Sequence, residues 1–185
     1  MRILLISSSY NGLCQRAHIE LDNLGHEISV TLALSADDVT RAVALFQPNL
    51  LICPFLKEKI PEDVFKNHLC IILHPGITGD RGPSSLDWAI MNSETEWGST
   101  VLQAAEEMDA GDIWATHNFP MRQASKASLY RREVTQAAIK GMLETVRRFE
   151  SRNFTPEPLD YSKPDWNDAP CVPATFTAPT DGMAR

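Results

Sequence analysis

Residues 1–34 read MRILLISSSYNGLCQRAHIELDNLGHEISVTLAL, and this stretch decides the fold. Arg2 to Ser7 is a short, unbroken apolar run too short for a helix, which fits a strand buried on both faces. Ser8 to Leu13, rich in Ser, Asn and Gly, is a loop. Cys14 to Leu24 has helical spacing and stops at Gly25, the residue type that tolerates the left-handed conformation at a helix end. Glu27 to Leu34 is a second strand. A strand, a helix and a strand within about thirty residues imply a right-handed crossover and parallel pairing.

The same alternation continues. Ser35 caps a helix with Val39, Val43 and Phe46 on one face, and Pro48 ends it. Asn49 to Phe55 is a third strand, a short turn lies near Pro61 to Phe65, and Leu69 to Leu73 is a fourth strand. Strands separated by short helices predict an α/β sandwich with a mainly parallel sheet. After His74 the pattern breaks: His74-Pro-Gly-Ile-Thr-Gly-Asp-Arg-Gly-Pro83 holds too much Gly and Pro to be an element, so it is a shaped loop. It leads into a helix opening near Ser84, then a strand pair, Gly98 to Ala104 and Asp112 to Asn118. A long helix from Ser125 to about Phe149 carries Ala127, Tyr130, Val134, Ala138, Met142, Val146 and Phe149 on one stripe. These elements form one domain over residues 1–152, and residues 153–185, with six of the twelve prolines, form an extended tail.

Composition narrows the function. With 17 Lys+Arg against 24 Asp+Glu, a net charge of −7 argues against a nucleic-acid partner, which asks for a basic surface. No apolar stretch approaches the roughly 20 residues of a membrane span, and Met-Arg followed at once by Ile-Leu-Leu-Ile has no signal-peptide layout, so a cytoplasmic protein without a membrane partner is expected. Cys14, Cys53, Cys70 and Cys171 are too scattered for a disulfide frame or a zinc site and read as reduced core residues. No metal-ligand spacing and no Walker motif appears, and Ser7 to Ser9 with Gly12 after the first strand give only a weak phosphate-binding signal.

Chemistry in an open parallel sheet belongs at the carboxyl ends of the strands, and the fourth strand delivers His74 there, followed by a stiff Pro-Gly turn. Alone, such a histidine is more often structural. Met108-Asp109-Ala110-Gly111-Asp112 adds an acidic turn at the start of a strand, and Asp109 there could reach the imidazole and support its charge. By spacing alone the same stretch is an ordinary turn. The segment from Lys126 to Arg152 has seven basic residues against three acidic, a solvated face or a phosphate-binding one.

His74-Pro75 followed by Asp80-Arg81-Gly82-Pro83, then Gly98-Ser-Thr-Val101 and Glu107-Met-Asp-Ala-Gly-Asp-Ile113, resembles the formyltransferase family that uses 10-formyltetrahydrofolate. Methionyl-tRNA, glycinamide-ribonucleotide and sugar formyltransferases and formyltetrahydrofolate hydrolases are among its members. The resemblance covers about residues 1–165 and implies a Rossmann-like three-layer sandwich, a one-carbon transferase and no metal. It assigns His74 as acid/base and oxyanion partner and Asp109 as the group that orients it. The family's asparagine position holds Ile72, which has no hydrogen-bond donor, and loss of one oxyanion donor costs about two to three powers of ten in rate.

Within that family, Leu73-His-Pro-Gly-Ile-Thr-Gly-Asp-Arg-Gly-Pro-Ser-Ser-Leu-Asp-Trp-Ala-Ile90, Ser125-Lys-Ala-Ser-Leu-Tyr-Arg131 and Leu159-Asp-Tyr-Ser-Lys-Pro164 are similar to the N-terminal part of the HypX/HoxX hydrogenase maturation factors. Those also carry an apolar residue at the asparagine position. The resemblance implies formyl transfer to the thiol of coenzyme A, with a crotonase-like second domain that releases carbon monoxide for NiFe hydrogenase; no counterpart of that domain follows here, and residues 166–185 leave the pattern. On this reading the folate lies against the third strand and the Gly79 to Pro83 loop, with Asp80, Arg81 and Gly82, and the long cationic helix, Arg131 in particular, with Ser9 and Gln15 from the first loop, is the expected coenzyme A side. A thiolate acceptor suits a site lacking the asparagine, because it is a better nucleophile than an amine. A folate hydrolase and an inert folate-binding or hydrogenase-scaffold module remain open alternatives.

Overall fold

Apolar runs far apart in the chain lie side by side in the computed structural model, which describes residues 1–160. Six strands, β1 (Arg2–Ser7), β2 (Glu27–Leu32), β3 (Leu50–Phe55), β4 (Cys70–His74), β5 (Glu96–Gln103) and β6 (Ile113–Pro120), form one sheet in the order β2-β1-β3-β4-β5-β6. The first four are mutually parallel, with Ile3 opposite Leu50 and Leu51 opposite Cys70. β5 runs antiparallel to β4, and β6 antiparallel to β5. The fold is therefore α/β with a sheet that is parallel on one side and antiparallel on the other. The β4–β5 connection, residues 75–95, holds the Gly-rich loop and a single short helix and reverses the chain direction instead of crossing over.

Side chains alternate across each strand, so consecutive residues enter opposite layers. Ile3, Leu5, Leu50, Ile52, Ile71 and Leu73 pack under helices α1 (Gly12–Asn23) and α6 (Thr135–Ser151), against Leu21, Ala138, Met142 and Val146. Leu4, Ile6, Leu51, Cys53 and Cys70 pack on the other face against Val39 and Val43 of α2 (Ala36–Phe46) and Val64 of α3 (Glu62–Asn67). At roughly 1.5–3 kcal/mol per fully buried large apolar side chain, these two layers supply most of the folding drive. A third cluster, with Leu86, Trp97, Phe119, Leu129 and Val134, joins α4 (Ser85–Met91) to the start of the last helix.

Element ends follow local chemistry. The Asn11 side chain accepts from Cys14 N and starts α1 two residues earlier than the apolar spacing suggests. Ser35 caps α2, and Gln47 ends it in the left-handed conformation ahead of Pro48. The stretch read as a short turn near Pro61 is the six-residue helix α3. The long C-terminal helix is not regular: α5 (Lys126–Leu129) passes through a π turn (Tyr130–Val134) into α6. Thr135 Oγ1 donates to the Tyr130 carbonyl there, at 2.8 Å, satisfying an acceptor freed by the wider turn.

Residues 153–160 are extended. Ile113 and Glu157 exchange both backbone hydrogen bonds, at 2.7 and 3.0 Å, and the Phe154 ring lies against Trp114 beneath the Arg148 guanidinium. The rest of the expected tail, and Cys171, lie outside the described residues. Cys14, Cys53 and Cys70 are buried free thiols, and burial pushes Cys70 up to about 12, which keeps it neutral and inert. Among the described residues, no helix is long and apolar enough to cross a membrane.

Candidate active site

β4 is central in the sheet, and its last residue, His74, emerges at the carboxyl edge with only 2% of its surface exposed. The turn after it is held by side chains from neighbouring elements. Ser99 Oγ donates to the His74 carbonyl at 2.9 Å, Trp97 Nε1 and Ser85 Oγ both donate to the Pro75 carbonyl, and Thr100 Oγ1 donates to the Gly76 carbonyl. The imidazole is thus fixed by β5 and α4 as well as by its own strand.

Both ring nitrogens face carboxylates. Nδ1 lies 3.3 Å from Asp109 Oδ2, so the two residues 35 positions apart do meet at the strand end. Nε2 lies 2.7 Å from Asp80 Oδ2. A carboxylate only accepts, so an imidazole satisfying both must carry a proton on each nitrogen and be charged. Burial pulls the ring toward neutrality, but the hydrogen bonds to Asp109 and Asp80 and their charges outweigh it, and the pKa is raised to about 9. For Asp109, burial favours the protonated acid, yet the contact with His74, the Gly82 N–H at 3.2 Å and the nearby Arg81 hold it below the ordinary carboxylate value. Asp109 sits at φ 53°, a strained turn geometry that asparagine and aspartate tolerate better than most residues, and this aims its carboxylate at the ring.

A cavity of about 950 Å³ opens beside this pair. Its wall includes His74, Asp109, Ile72, Gly82 and Arg131, which the sequence brought forward, together with Cys53 to Phe55 from the end of β3. Ile72 shares a strand face with His74 and packs against the second core layer, so an apolar side chain fills the position beside the imidazole. Arg131 is exposed, and its Nε donates to the Ala127 carbonyl.

Four of the expected binding residues lie elsewhere. Ser9 and Gln15 are exposed and outside the cavity wall; Gln15 Nε2 donates to the Tyr10 carbonyl, because α1 begins earlier than expected and turns this side chain back on its own loop. Asp80 is buried behind His74 and does not reach the cavity, since the Gly-rich loop folds its carboxylate inward. Arg81 is not itself on the cavity wall but pairs with Glu107, which is. Conversely, Lys57, Lys59, Lys126 and Tyr130 line the cavity without having been singled out. Lys57 and Lys59 follow β3 at the sheet's carboxyl edge, so the rule that located His74 applies equally to them. Tyr130 was assigned to the core stripe, and the π turn places it at the cavity as well. Burial raises its phenol pKa, partly offset by a hydrogen bond with the Asn11 side chain.

Comparison with known proteins agrees with this geometry. The sequence model of the formyl transferase family matches residues 13–146. Hydrogenase maturation factor HoxX from Bradyrhizobium diazoefficiens is 50% identical over 164 residues, 89% of this chain and 29% of that protein. The crystal structure of HypX from Aquifex aeolicus in complex with tetrahydrofolic acid is 50% identical with a TM-score of 0.85, covering 86% of this chain and 28% of that one. Methionyl-tRNA formyltransferase from Clostridium thermocellum, 16% identical, shares the fold with a TM-score of 0.72 over 92% of this chain and 73% of its own. The chain thus spans less than a third of the length of the HoxX and HypX relatives.

Proposed function

The chain belongs to the formyl transferase family, and from that membership we propose that its cavity binds 10-formyltetrahydrofolate and passes the formyl group to the thiol of coenzyme A. The observation that carries the reading is the charged His74–Asp109 pair, held at 3.3 Å on the wall of a cavity large enough for a drug-sized ligand. The relative from Aquifex aeolicus that was crystallised with tetrahydrofolic acid supports the choice of carrier.

The acceptor sulfur forms a bond to the formyl carbon while the bond from that carbon to N10 breaks, leaving a formyl thioester and tetrahydrofolate. His74, charged at neutral pH, gives a proton toward N10 as the amine leaves and recovers the one that the thiol gives up, while ionised Asp109, bordering the cavity, orients the ring and supports its charge. The positive charge of His74 offsets the negative charge that develops on the formyl oxygen. Ile72 supplies no donor; it keeps the acceptor side of the cavity dry, which favours a thiolate over water. Arg131 at the cavity and Lys126 beside it offer cationic contacts for a phosphate-bearing acceptor. The HoxX relative is a hydrogenase maturation factor, and in our reading the formyl thioester feeds synthesis of the carbon monoxide ligand of NiFe hydrogenase, with a further domain completing the process.

Incubating the chain with 10-formyltetrahydrofolate, with and without coenzyme A, and identifying acyl products by mass spectrometry tests this. Formyl-coenzyme A formed only when coenzyme A is present supports the proposal. Formate released at the same rate without it makes the protein a hydrolase, and folate binding without turnover makes it an inert binding module.

A further inference from the structure

We propose that Asp80 is the positioning residue of this site, the anchor that fixes the Nε2 edge of His74 so that its Nδ1 edge, with Asp109, is turned to the cavity. The inference rests on reading the cavity as the formyl-transfer site. Two carboxylates hold one imidazole, but unequally. Asp80 Oδ2 lies 2.7 Å from Nε2 with its side chain fully enclosed, whereas Asp109 Oδ2 lies 3.3 Å from Nδ1 with its side chain 11% exposed. The shorter contact is on the closed side and the longer one on the open side. Asp109 lines the cavity and Asp80 does not, so Asp80 has no route to a ligand except through the ring.

The backbone around this contact is built to permit it. Gly76 leaves the space between the partners: a Cβ there would stand 2.5 Å from His74 Nε2 and 2.6 Å from Ser85 Oγ, and closer still to Asp80 Oδ2. Gly79 and Gly82 flank Asp80 at φ 93° and 94°, where side chains are rarely tolerated, and let the loop double back within six residues of the histidine. The second Asp80 oxygen, Oδ1, is buried without a hydrogen-bond partner. Leaving it so costs stability, so the loop's inward fold is held against a penalty.

The groups around the ring are few. The loop contributes Asp80, the β5–β6 turn contributes Asp109 with Arg81 near it and Glu107 on Arg81, β3 contributes the neutral Cys53 thiol, and β5 contributes only the Ser99 and Thr100 hydroxyls. Among the described residues, Asp80 is therefore one of two carboxylates paired with His74.

The test is Asp80→Asn, which keeps an oxygen on Nε2–H but removes the charge. The His74 ring is titrated by NMR in the ligand-free protein, and kcat, KM for 10-formyltetrahydrofolate and the tetrahydrofolate Kd are measured against pH. The pKa of His74 should fall from about 9 by about one to three units, and the basic limb of the kcat profile should move with it, with KM and Kd within about twofold. An unmoved titration and profile would mean that Asp80 only pins the loop, and a change confined to KM or Kd would make it a folate contact; either overturns the proposal. A second measurement needs no variant: the wild-type ring should show both N–H protons at neutral pH, with Nε2–H exchanging more slowly than Nδ1–H, and the opposite order would also overturn it. If the wild type neither binds tetrahydrofolate nor transfers formyl, the functional reading fails while the NMR results still decide the role of Asp80.

Discussion

At the scale of single residues the site is an electrostatic balance that pH should expose. His74 has a folded-state pKa of about 9 against an ordinary 6.5, so the stabilisation from its charge is complete below 6.5 and is lost as pH rises through 9. Asp109, held below its ordinary 3.8, contributes stability above that value and loses it as pH falls further. The melting temperature should therefore decline between pH 6.5 and 9, more steeply for wild type than for Asp109→Asn; a flat wild-type curve over that window would show that His74 is not charged. Ile72 offers a second measurement. It is half-buried against the second core layer, so Ile72→Asn places an amide where no partner waits, at about 1–3 kcal/mol. Stability should fall and turnover of 10-formyltetrahydrofolate should not rise. A tenfold or greater gain with an unchanged melting temperature would instead identify a decayed amine formyltransferase, because an oxyanion donor would have been restored.

At the scale of elements, the last helix shows packing overriding local preference. Alanine in a helix interior is favoured over glycine by about 1 kcal/mol, yet α6 carries Gly141 on its buried face. A Cβ at that position would come 2.7 Å from Val101 Cγ2 of β5. The helix can approach the sheet only without that methyl. Gly141→Ala should thus destabilise the protein by a net of about 1–3 kcal/mol, since overpacking outweighs the gain in propensity, and chemical denaturation would register it as a lower midpoint at unchanged slope. A stabilised Gly141→Ala would show that Val101 yields and that the approach of α6 is not set by this contact. The π turn just upstream depends on the same fit. It lets Leu129 and Val134 stay in the core while Tyr130 and Arg131 reach the cavity, which a regular helix could not do in the same register.

At the scale of the whole molecule, both core layers, the carboxyl-edge cavity and the pair on its wall lie within the described residues, so the ligand site does not wait on another domain for its walls. The chain by itself should bind tetrahydrofolate. At a ligand concentration of one hundred times Kd, binding contributes about 2.7 kcal/mol, which for a domain of this size raises the melting temperature by about 5–10 °C. Differential scanning fluorimetry reads this directly. No shift at any attainable concentration would mean that the cavity is completed only in the longer relatives.

The sandwich was legible in the sequence because strands and helices declare themselves through near-neighbour periodicity: Ile3 to Ile6, Leu50 to Cys53 and Leu69 to Leu73 are runs that only a sheet covered on both faces can bury. His74 at a strand end and Asp109 in an acidic turn are likewise local features, though alone they read as structural, and it was the order of motifs shared with the formyltransferase family that paired them. Periodicity says nothing of how a loop closes. The inward turn of Asp80 depends on Gly76, Gly79 and Gly82 acting together with Ser85, Trp97 and Thr100 from later elements, so its pairing with His74 appears only once the sheet brings those elements to one edge. The same holds for Ser9 and Gln15, expected on the coenzyme A side, whose side chains do not line the cavity. The sequence alone determined which residues stand at the strand ends; tertiary structure decided which carboxylate faces the cavity and which stands behind the histidine, because burial and hydrogen-bond direction are properties of the assembled sheet and not of any one segment.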